Sequence, residues 1–350
     1  MTRSAAQLLE AARRGDQDAF SQLVAAYRPA LQAHCYRMLG SVQDAEDALQ
    51  ETLLNAWRAL PRFEGRSSLK SWLYTIATNA CLKAIERRPK RVLPIDYGPA
   101  ADPHEPRAQP LVESVWLEPY PDTGIELEDK LASPAARYEQ RESIELAFIA
   151  ALQQIPARQR AVLILRDVLG FSAKEAAETL EMTPAAVDTS LQRAHKTVDA
   201  RLHARSQQTT LQVLGDRRLR ELVDGFVDAW ERADVDAVVA MLAHDATVAM
   251  PPQPTWYQGR DAVATFLRAV ALAAGKRWRL LPVTANGQPA FAEYLWDKTA
   301  GHFAAEAVTV LTLADDLIAD ITSFRYPDLF ARFGLPAQLE PNDAGLERLP

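Results

Sequence analysis

The sequence predicts a multidomain chain in which two all-α domains, the second with a helix-turn-helix, are followed by an α+β domain. Residues 41–88 contain two long helical patterns, and residues 160–196 contain two capped helices joined by a tight turn. Residues 277–324 hold four short strand-like runs. A chain of 350 residues is long enough for two or three separate hydrophobic cores.

The first helical pattern begins with the capping pair Ser41 and Asp44 and ends at Pro61, which cannot continue a helix. Its apolar stripe at helical spacing consists of Ala45, Ala48, Leu49, Thr52, Leu53, Ala56 and Trp57. The opposite face is polar and acidic, and it carries Gln43, Asp44, Glu46, Asp47, Gln50 and Glu51. Two interpretations are open: a solvated helix face, or a docking surface for a basic partner.

The second helical pattern starts near Leu69 and has the opposite charge. Between Arg62 and Arg91 there are eight Lys or Arg against two Glu. The aromatic residues interleaved with them are Phe63, Trp72 and Tyr74. Basic side chains neutralise phosphates and aromatic rings stack on unpaired bases, so the stretch predicts a platform for single-stranded nucleic acid. Trp72 also fits a buried stripe with Leu69, Leu73 and Ile76, and both roles stay open.

Residues 160–196 contain the predicted helix-turn-helix. Ser172 and Glu175 form a capping box, and Thr183 caps a second helix with Pro184 at its first position. The apolar faces that meet across the turn are formed by Ala176, Ala177, Leu180, Val187, Leu191 and Ala194. Such a pair can place its second helix in the DNA major groove, although an ordinary helical hairpin has the same pattern.

Charge and cysteine usage narrow the protein class. The net charge of −7 would argue against a nucleic-acid partner if it were uniform, but residues 62–91 net +6 while residues 92–133 net −7. Cys35 and Cys81 lack a C-x-x-C pattern, which indicates a reduced cytoplasmic protein with buried thiols and no metal site. Neither a signal peptide nor a membrane span is expected, because no long apolar run occurs.

These motifs, in this order, resemble an extracytoplasmic-function RNA polymerase sigma factor over roughly residues 10 to 205. The matching stretches are DAEDALQETLLNAW, FEGRSSLKSWLYTIATNACLKAIERR and the helix-turn-helix. The resemblance implies a sigma region 2 at 1–88 and a sigma region 4 at 134–205. It implies that Asp44, Asp47, Gln50 and Glu51 dock on the clamp of the polymerase largest subunit. No cofactor is implied.

The resemblance also implies two promoter-reading sites. For the −10 element the candidate residues are Arg62, Phe63, Arg66, Ser67, Trp72, Tyr74, Asn79, Lys83, Arg87 and Arg88. For the −35 element they are Thr183, Pro184, Ala185, Asp188, Thr189, Gln192, Arg193 and Lys196. The recognition helix departs from many relatives in carrying Asp188, Ser190 and His195. Asp188 has two open roles, accepting a hydrogen bond from cytosine N4 or facing solvent.

Residues 89–133 form a Pro-rich, acidic segment that predicts an extended linker, since proline removes backbone donors and restricts its neighbours. The sequence WLEPYPD at 116–122 adds aromatic residues to an acidic string. The resemblance suggests that the linker threads the polymerase cleft toward the RNA exit path. A flexible tether is the alternative for the part before Leu111.

The pattern after residue 216 is helix, helix, strand, helix and then successive strands. It predicts helices over 217–232, 234–242 and 261–274, with Ser206 to Gly215 as a short polar connection. The strands are predicted over 246–250, 277–285, 289–296, 303–313 and 317–324. With YQGRDAV at 257–263, this order resembles a SnoaL-like, ketosteroid isomerase-type cone at 216–335, followed by a tail at 336–350. That fold encloses one apolar pocket.

The sequence does not decide whether the predicted pocket binds a ligand or carries out a reaction. The candidate ligand-lining residues are Trp230, Met250, Trp256, Tyr257, Trp296 and Phe303, and the candidate bases are Asp245, Tyr257, Glu293, Asp297 and His302. Sigma factors with a SnoaL-like tail are a recognised subgroup, so we expect a regulatory tail that senses an unknown small ligand or docks on the sigma part. Two alternatives remain: a ligand-responsive helix-turn-helix regulator, and an isomerase or cyclase with a DNA-binding appendage.

Overall fold

The computed structural model describes residues 3–111, 115–123, 141–202 and 205–341. They form two compact units, a helical unit of residues 3–90 and 141–202 and an α+β unit of residues 91–111, 115–123 and 205–341. The predictions for 124–133 and for 134–140 lie outside the described residues, as does the tail from 342. Within the described ranges, no helix is both long and apolar enough to cross a membrane.

The first part of the helical unit contains α1 (Ala5–Arg13), α2 (Gln17–Ala25), α3 (Arg28–Leu39), α4 (Val42–Ala59) and α5 (Leu69–Ile85). Ser41 caps α4 by accepting from the backbone N–H of Asp44 at 3.1 Å, as predicted. The predicted apolar stripe faces the core, except that Leu53 and Trp57 are only half-buried. Ser68 caps α5 by accepting from the N–H of Ser71 at 3.0 Å. A short helix, α6 (Pro94–Tyr97), belongs to the α+β unit.

The second part of the helical unit contains α7 (Leu146–Gln153), α8 (Ala157–Leu163), α9 (Ala173–Leu180) and α10 (Pro184–Asp199). A π-helical turn, Ile164–Val168, continues α8. The core of this part is formed by Ile149, Leu152, Val162, Ile164, Leu165, Ala176, Val187 and Ala194. The helix-turn-helix is therefore α9 and α10, at the residues predicted.

The α+β unit is built on a seven-stranded sheet. Its strands are β1 (Leu242–Ala249), β2 (Trp256–Gln258), β3 (Trp278–Ala285), β4 (Gln288–Asp297), β5 (His302–Ala314), β6 (Leu317–Phe324) and β7 (Gln338–Leu339). The order is β2-β1-β6-β5-β4-β3, and β7 pairs with β5. The β1–β6 pair is parallel and the other pairs are antiparallel. Five strands are confirmed; β2 and β7 were missed because two or three residues show no alternation.

Four further helices accompany this sheet: α11 (Gln207–Glu231), α12 (Val235–Ala240), α13 (Arg260–Phe266) and α14 (Leu329–Arg332). A π-helical turn, Leu267–Ala271, continues α13. Apolar side chains from α11 to α13 and from the sheet form one core; its most buried members include Phe226, Val238, Leu242, Val263, Leu267, Phe291, Leu311 and Ile318.

The stretch predicted as a short polar connection, 206–215, differs in the structure. Its residues form the first turns of α11, which breaks at Gly215 where φ is 75°. Gln207 donates to the carbonyl of Leu313 and accepts from its N–H, both at 2.8 Å. Gln208 donates to the carbonyl of Gly287 at 2.8 Å. A carboxamide has both a donor and an acceptor, so these polar side chains extend the backbone pairing of the sheet instead of facing water.

Candidate functional site

The helix-turn-helix is defined by side-chain caps at both of its helices. Ser172 Oγ accepts from the N–H of Glu175 at 3.2 Å, while Glu175 accepts from the N–H of Ser172 at 2.8 Å. At the turn, Glu181 has a φ of 52°, which reverses the chain. Thr183 Oγ1 then accepts from the N–H of Ala186 at 3.2 Å and starts α10. The sequence motif therefore produces the predicted turn geometry.

The recognition helix α10 presents one continuous polar face to solvent. Every residue predicted to read the −35 element is exposed: Thr183, Pro184, Ala185, Asp188, Thr189, Gln192, Arg193 and Lys196. The opposite face is held down by the buried Val187, Ala194 and Val198. His195, one of the departures from many relatives, lies against Asp167 and not on that open face.

The candidate −10 site shows a different pattern of exposure. Asn79 on α5 and the −10 candidate Ser67 are exposed, and so are the predicted phosphate contacts Arg62, Arg66, Lys83, Arg87 and Arg88. Phe63 is buried against Trp72 with ring centroids 4.8 Å apart. Trp72 is half-buried, so it combines packing with access to solvent. Arg66 forms an exposed ion pair with Glu64 at 2.6 Å.

Tyr74, predicted as an accessible stacking residue, is only 2% exposed. Its ring makes edge-on contacts with His34 at 5.3 Å and with Phe171 at 5.9 Å. Phe171 comes from the segment just before α9, and Thr179 of α9 lies 3.1 Å from Thr75 of α5, hydroxyl to hydroxyl. The helix-turn-helix thus packs on α5, and the prediction of an open Tyr74 is wrong for this arrangement.

A buried arginine joins the two parts of the helical unit. Arg160 of α8 is 4% exposed and donates to the carbonyl of Met38 near the end of α3. It also donates to Gln153 Oε1 at 2.5 Å and to the carbonyl of Ile155 at 3.3 Å. Gln153 in turn donates to the carbonyl of Arg37 at 3.4 Å. Carbonyls at a helix end need donors from elsewhere, and here those donors come from α7 and α8. Burial lowers the pKa of Arg160 to about 10, so the group stays cationic at neutral pH.

The acidic face of α4 is partly neutralised by the basic residues that follow it. Asp44 is 4% exposed and forms an ion pair with Arg88. Arg88 also lies 3.7 Å from Asp47, and Lys83 lies 3.2 Å from Glu51. Asp47 and Gln50 remain exposed, and the Glu51 side chain is 43% exposed. The predicted core-binding acids and two predicted phosphate contacts therefore meet at one surface.

The linker that follows α5 is bound along the α+β unit instead of extending freely. Ala101 donates to the carbonyl of Trp256 at 2.8 Å, and Leu111 donates to the carbonyl of Pro252 at 2.9 Å. Tyr120 and Asn286 exchange two hydrogen bonds, at 2.8 and 2.9 Å. The apolar residues of this stretch, Trp116, Leu117 and Tyr120, are at most 2% exposed. The proline pattern correctly excluded a long helix, but the polar composition concealed this packing.

The α+β unit contains a small cavity that is partly open to solvent. Of the candidate ligand-lining residues, Trp230 and Met250 line it. Trp256 and Tyr257 are instead core residues, Trp256 donating to the carbonyl of Gly98 at 2.8 Å and Tyr257 stacking on Phe266. Trp296 and Phe303 pack on each other away from the cavity. The lining residues that the ligand-site prediction missed include Val248, Phe266, Val270, Trp278, Lys276 and Arg325.

Glu293 is the one candidate base that lines the cavity. Burial raises its pKa to about 7, with Glu306 adding to the rise. Thr309 donates to Glu293 at 2.6 Å and lies 2.7 Å from Ser323, and both contacts belong to the same polar chain. Asp245, Asp297 and His302 do not reach this cavity. The described residues contain no group of three or more His, Cys, Asp or Glu placed to hold a metal ion.

Comparison with known proteins adds independent findings. Residues 23–91 match the Sigma-70 region 2 family, residues 145–198 match Sigma-70 region 4, and residues 223–321 match the SnoaL-like domain. The chain is 41% identical over 338 residues to the ECF RNA polymerase sigma factor SigG of Mycobacterium tuberculosis. The aligned residues cover 93% of this chain and 86% of SigG. It is 30% identical over 196 residues to the RNA polymerase sigma-H factor of Pseudomonas aeruginosa, covering 56% of this chain and 92% of that protein.

Among solved structures, the crystal structure of the extracytoplasmic function sigma factor SigJ of Mycobacterium tuberculosis is similar with a TM-score of 0.57. The match covers 91% of this chain and 99% of SigJ at 20% identity, so it bears on the fold. The fold of SigJ is thus similar over most of this chain.

Proposed function

The chain belongs to the ECF RNA polymerase sigma factors, non-catalytic subunits that bind core polymerase and direct it to promoters, and we propose that its SnoaL-like α+β unit regulates it in cis by holding the linker. The observation that carries this proposal is the set of hydrogen bonds that join the linker to Pro252 and Trp256 and to Asn286 in the turn between β3 and β4. A linker whose Trp116 and Leu117 are fully buried in the α+β unit cannot also extend through the polymerase cleft. The two placements therefore exclude each other.

We assign core binding to the exposed part of the acidic face of α4, namely Asp47, Gln50 and Glu51. Charged side chains on one exposed helix face suit a basic partner surface. Asp44 is buried and would act on core binding indirectly, because its ion pair with Arg88 holds that basic side chain beside Asp47. A double variant, Asp47→Lys with Glu51→Lys, should weaken core binding about 30-fold, or ~2 kcal/mol. Glu10→Lys, an exposed acid on α1, serves as the control and should leave core affinity unchanged.

We assign −35 reading to the exposed face of α10 and −10 reading to Asn79 with the surrounding cations and aromatic residues. The exposure of all eight predicted residues on and before α10 supports the first assignment. The second assignment requires a rearrangement, since Tyr74 lies beneath Phe171 in this structure. Region 4 must leave α5 before Tyr74 can contact DNA. The structure described here then corresponds to a closed state of the sigma regions.

Releasing the linker in the full chain tests cis regulation. Leu117→Glu places a charge at a fully buried linker position and should detach this segment from the α+β unit. If holding the linker inhibits, promoter-directed transcription with core polymerase should rise. Ile95→Glu, at an exposed position of the same linker, is the matched control and should not change transcription. Hydrogen exchange of the Ala101 and Leu111 amides reports release directly, because they donate to the carbonyls of Trp256 and Pro252, which lie outside the linker.

The result that contradicts the proposal is faster exchange without a change in transcription. A fall in transcription together with faster exchange would instead assign the held linker to assembly of the active complex. A chain truncated after residue 205 is a less selective test, because it exposes Trp116, Leu117 and Tyr120 together.

A further inference from the structure

The cavity of the α+β unit has an apolar wall and a charged mouth. Its wall is formed by Trp230, Val248, Met250, Phe266, Val270 and Trp278. Lys276 and Arg107 line the same cavity, and both residues are exposed. A site of this kind takes a ligand with an apolar body and a polar end, since apolar walls supply binding free energy and a few charged groups fix the orientation.

Positive charge at the mouth exceeds negative charge. Arg107, Lys276 and Arg325 face the cavity, and of these Arg325 is paired with Glu306. Neither Arg107 nor Lys276 forms an ion pair with a carboxylate of the described residues. The pKa of Lys276 is lowered by burial and then by the charge of Arg325, and Arg107 acts in the same direction. Clustered cations of this kind are neutralised by a bound anion, which a carboxylate supplies with charge-assisted hydrogen bonds.

One of the residues that line the cavity has a hydrogen-bond donor without a partner. Trp230 is 3% exposed, and its indole N–H has no acceptor among the described residues. A buried donor that is left unpaired costs about 1 to 3 kcal/mol. Glu293 lines the same cavity and can donate when protonated. A hydroxyl or carbonyl oxygen of a ligand in the cavity would give the Trp230 N–H an acceptor.

We propose that this cavity binds a small aromatic carboxylic acid that carries a hydroxyl or carbonyl oxygen at the end opposite its carboxylate. The carboxylate pairs with Arg107 and Lys276, the ring lies against Trp278 and Met250, and the far oxygen accepts from the Trp230 N–H. No atom of the ligand needs to react, so the site is a sensor site and not a catalytic one.

Arg107 connects the cavity to the linker, so a bound ligand can act on the linker; this part rests on the proposed function. Arg107 belongs to the linker, and its neighbour Ala108 is fixed by donating to Thr255 Oγ1 at 3.1 Å. A ligand that pairs with Arg107 binds the held linker better than the released linker. It therefore shifts the population toward the held state by its difference in affinity for the two states. In this mechanism the acid lowers transcription.

Calorimetric titration of the full chain with three probes tests the ligand chemistry. The probes are 4-hydroxyphenylacetate, phenylacetate without the far oxygen, and 4-hydroxyphenylethanol without the carboxylate. We expect 4-hydroxyphenylacetate to bind with one-to-one stoichiometry, phenylacetate about tenfold more weakly and the alcohol at least about tenfold more weakly. Absence of binding by both acids at millimolar concentration would overturn the proposal.

Variants locate the binding on the named residues. Arg107→Gln and Lys276→Gln should each weaken 4-hydroxyphenylacetate about tenfold. Arg277→Gln is the matched control, because Arg277 lies over the Trp296 ring, away from the cavity, and it should not change the affinity. Trp230→Phe should reduce the preference for 4-hydroxyphenylacetate over phenylacetate while the thermal midpoint reports whether the fold is intact. Equal affinities in Arg107→Gln and Arg277→Gln would contradict the assignment.

Coupling to the linker has its own measurement. Saturating 4-hydroxyphenylacetate should slow hydrogen exchange at the Ala108 and Leu111 amides in the natural chain and not in Arg107→Gln. If the acid binds without slowing exchange, the coupling between the cavity and the linker is rejected, while the assignment of the binding site stands. The Leu117→Glu transcription test contains no ligand, so its failure would reject linker control without affecting the acid site, and the two outcomes are distinguishable.

Discussion

The chain closes on itself in two places, and the two contacts differ in their physical basis. In the helical unit, region 4 meets region 2 through polar side chains, with Arg160 and Gln153 donating to carbonyls near the end of α3, and through the packing of Phe171 on Tyr74. In the α+β unit, the linker is held by backbone hydrogen bonds and by buried apolar residues such as Trp116 and Leu117. The first contact depends on a few side chains, whereas the second is distributed along an extended segment.

This difference indicates which of the two contacts separates more easily. Two helical regions can separate with their own helices intact, since the helical hydrogen bonds lie within each region. The donors and carbonyls of the contact can then bond to water, so the net free energy of these hydrogen bonds across the contact is modest. Detaching the linker exposes apolar surface at about 25 cal/mol per Å², a cost that water does not offset. We therefore expect the contact between regions 2 and 4 to open more readily than the linker contact.

Removing the buried arginine is the most severe way to break the first contact. Arg160→Met should lower the free energy of unfolding of the helical unit by about 3 to 5 kcal/mol, because several buried oxygens lose their donor. Chemical denaturation followed by far-ultraviolet circular dichroism measures the loss. Arg158→Met is the control; Arg158 is exposed and donates to the carbonyl of Leu180 at 3.3 Å. Equal losses in the two variants would mean that Arg160 is not the residue that joins the regions.

The two units should also respond to pH in opposite directions. Burial, with a smaller effect of the Arg37 charge, lowers the pKa of His34 to about 3, against 6.5 in the unfolded chain. Protonation then favours the unfolded state, so the helical unit loses stability as pH falls from about 6.5 toward 3. Burial raises the pKa of Glu293 to about 7, against 4.5 unfolded. The Glu293 carboxyl therefore contributes fully to the stability of the α+β unit below pH 4.5. This contribution is lost as pH rises from 4.5 through 7.

The measurement is hydrogen exchange of α3 and β4 peptides between pH 4 and pH 8, corrected for the intrinsic exchange rate. The Glu293 contribution amounts to about 3 kcal/mol across its window, from about 1.4 kcal/mol per pKa unit. Glu293→Gln should remove the slope in β4 and leave the slope in α3 unchanged. The charges facing Glu293 are Glu306 and Arg325, and Thr309 donates to it, so Glu306→Gln controls for the neighbouring carboxylate. A β4 slope that persists in Glu293→Gln would contradict the assignment.

Sequence patterns predicted the elements well wherever local chemistry decides them. Ser41, Ser68, Ser172 and Thr183 each cap the helix that the pattern placed after them. The long strands followed from their strand-like composition, whereas the eight exposed recognition residues were implied by the resemblance to sigma factors. These features depend on neighbours within one or two turns of the chain.

The sequence could not predict contacts that join distant segments. Tyr74 is aromatic in a basic stretch, a pattern typical of base stacking, yet Phe171 covers it from about a hundred residues away. Gln207 lies in the stretch predicted as a polar connection, but its side chain supplies both hydrogen bonds of the Leu313 backbone. Of five candidate bases only Glu293 reaches the cavity, since the strand pairing decides which alternate residues face it. Long-range pairing is absent from a local pattern.

A long charged side chain at the helix-turn-helix surface that packs on α5 should open the first contact without removing Arg160. Thr179 is 6% exposed and contacts Thr75, so Thr179→Arg should cost the closed state about 2 kcal/mol. Hydroxyl-radical footprinting should then detect higher solvent access at Tyr74 and Phe171, and promoter-directed transcription should rise. Glu178→Arg, the exposed neighbour on the same helix, is the control. Unchanged footprints in Thr179→Arg would indicate that region 4 does not separate from α5.

The smallest effect concerns the two reading surfaces themselves. Asn79 on α5 and Gln192 on α10 are both exposed amides, but only α10 has its whole predicted reading face open. In a promoter library transcribed by the full chain with core polymerase, Asn79→Ala should alter preference in the −10 element and Gln192→Ala in the −35 element. Each lost base contact should change the preference about tenfold, or ~1.4 kcal/mol. Arg87→Ala, a predicted phosphate contact, should weaken all promoters alike and keep both preferences. If Asn79→Ala also left the −10 preference unchanged, Asn79 would be a structural amide and the reading role would fall to Trp72 and Tyr74.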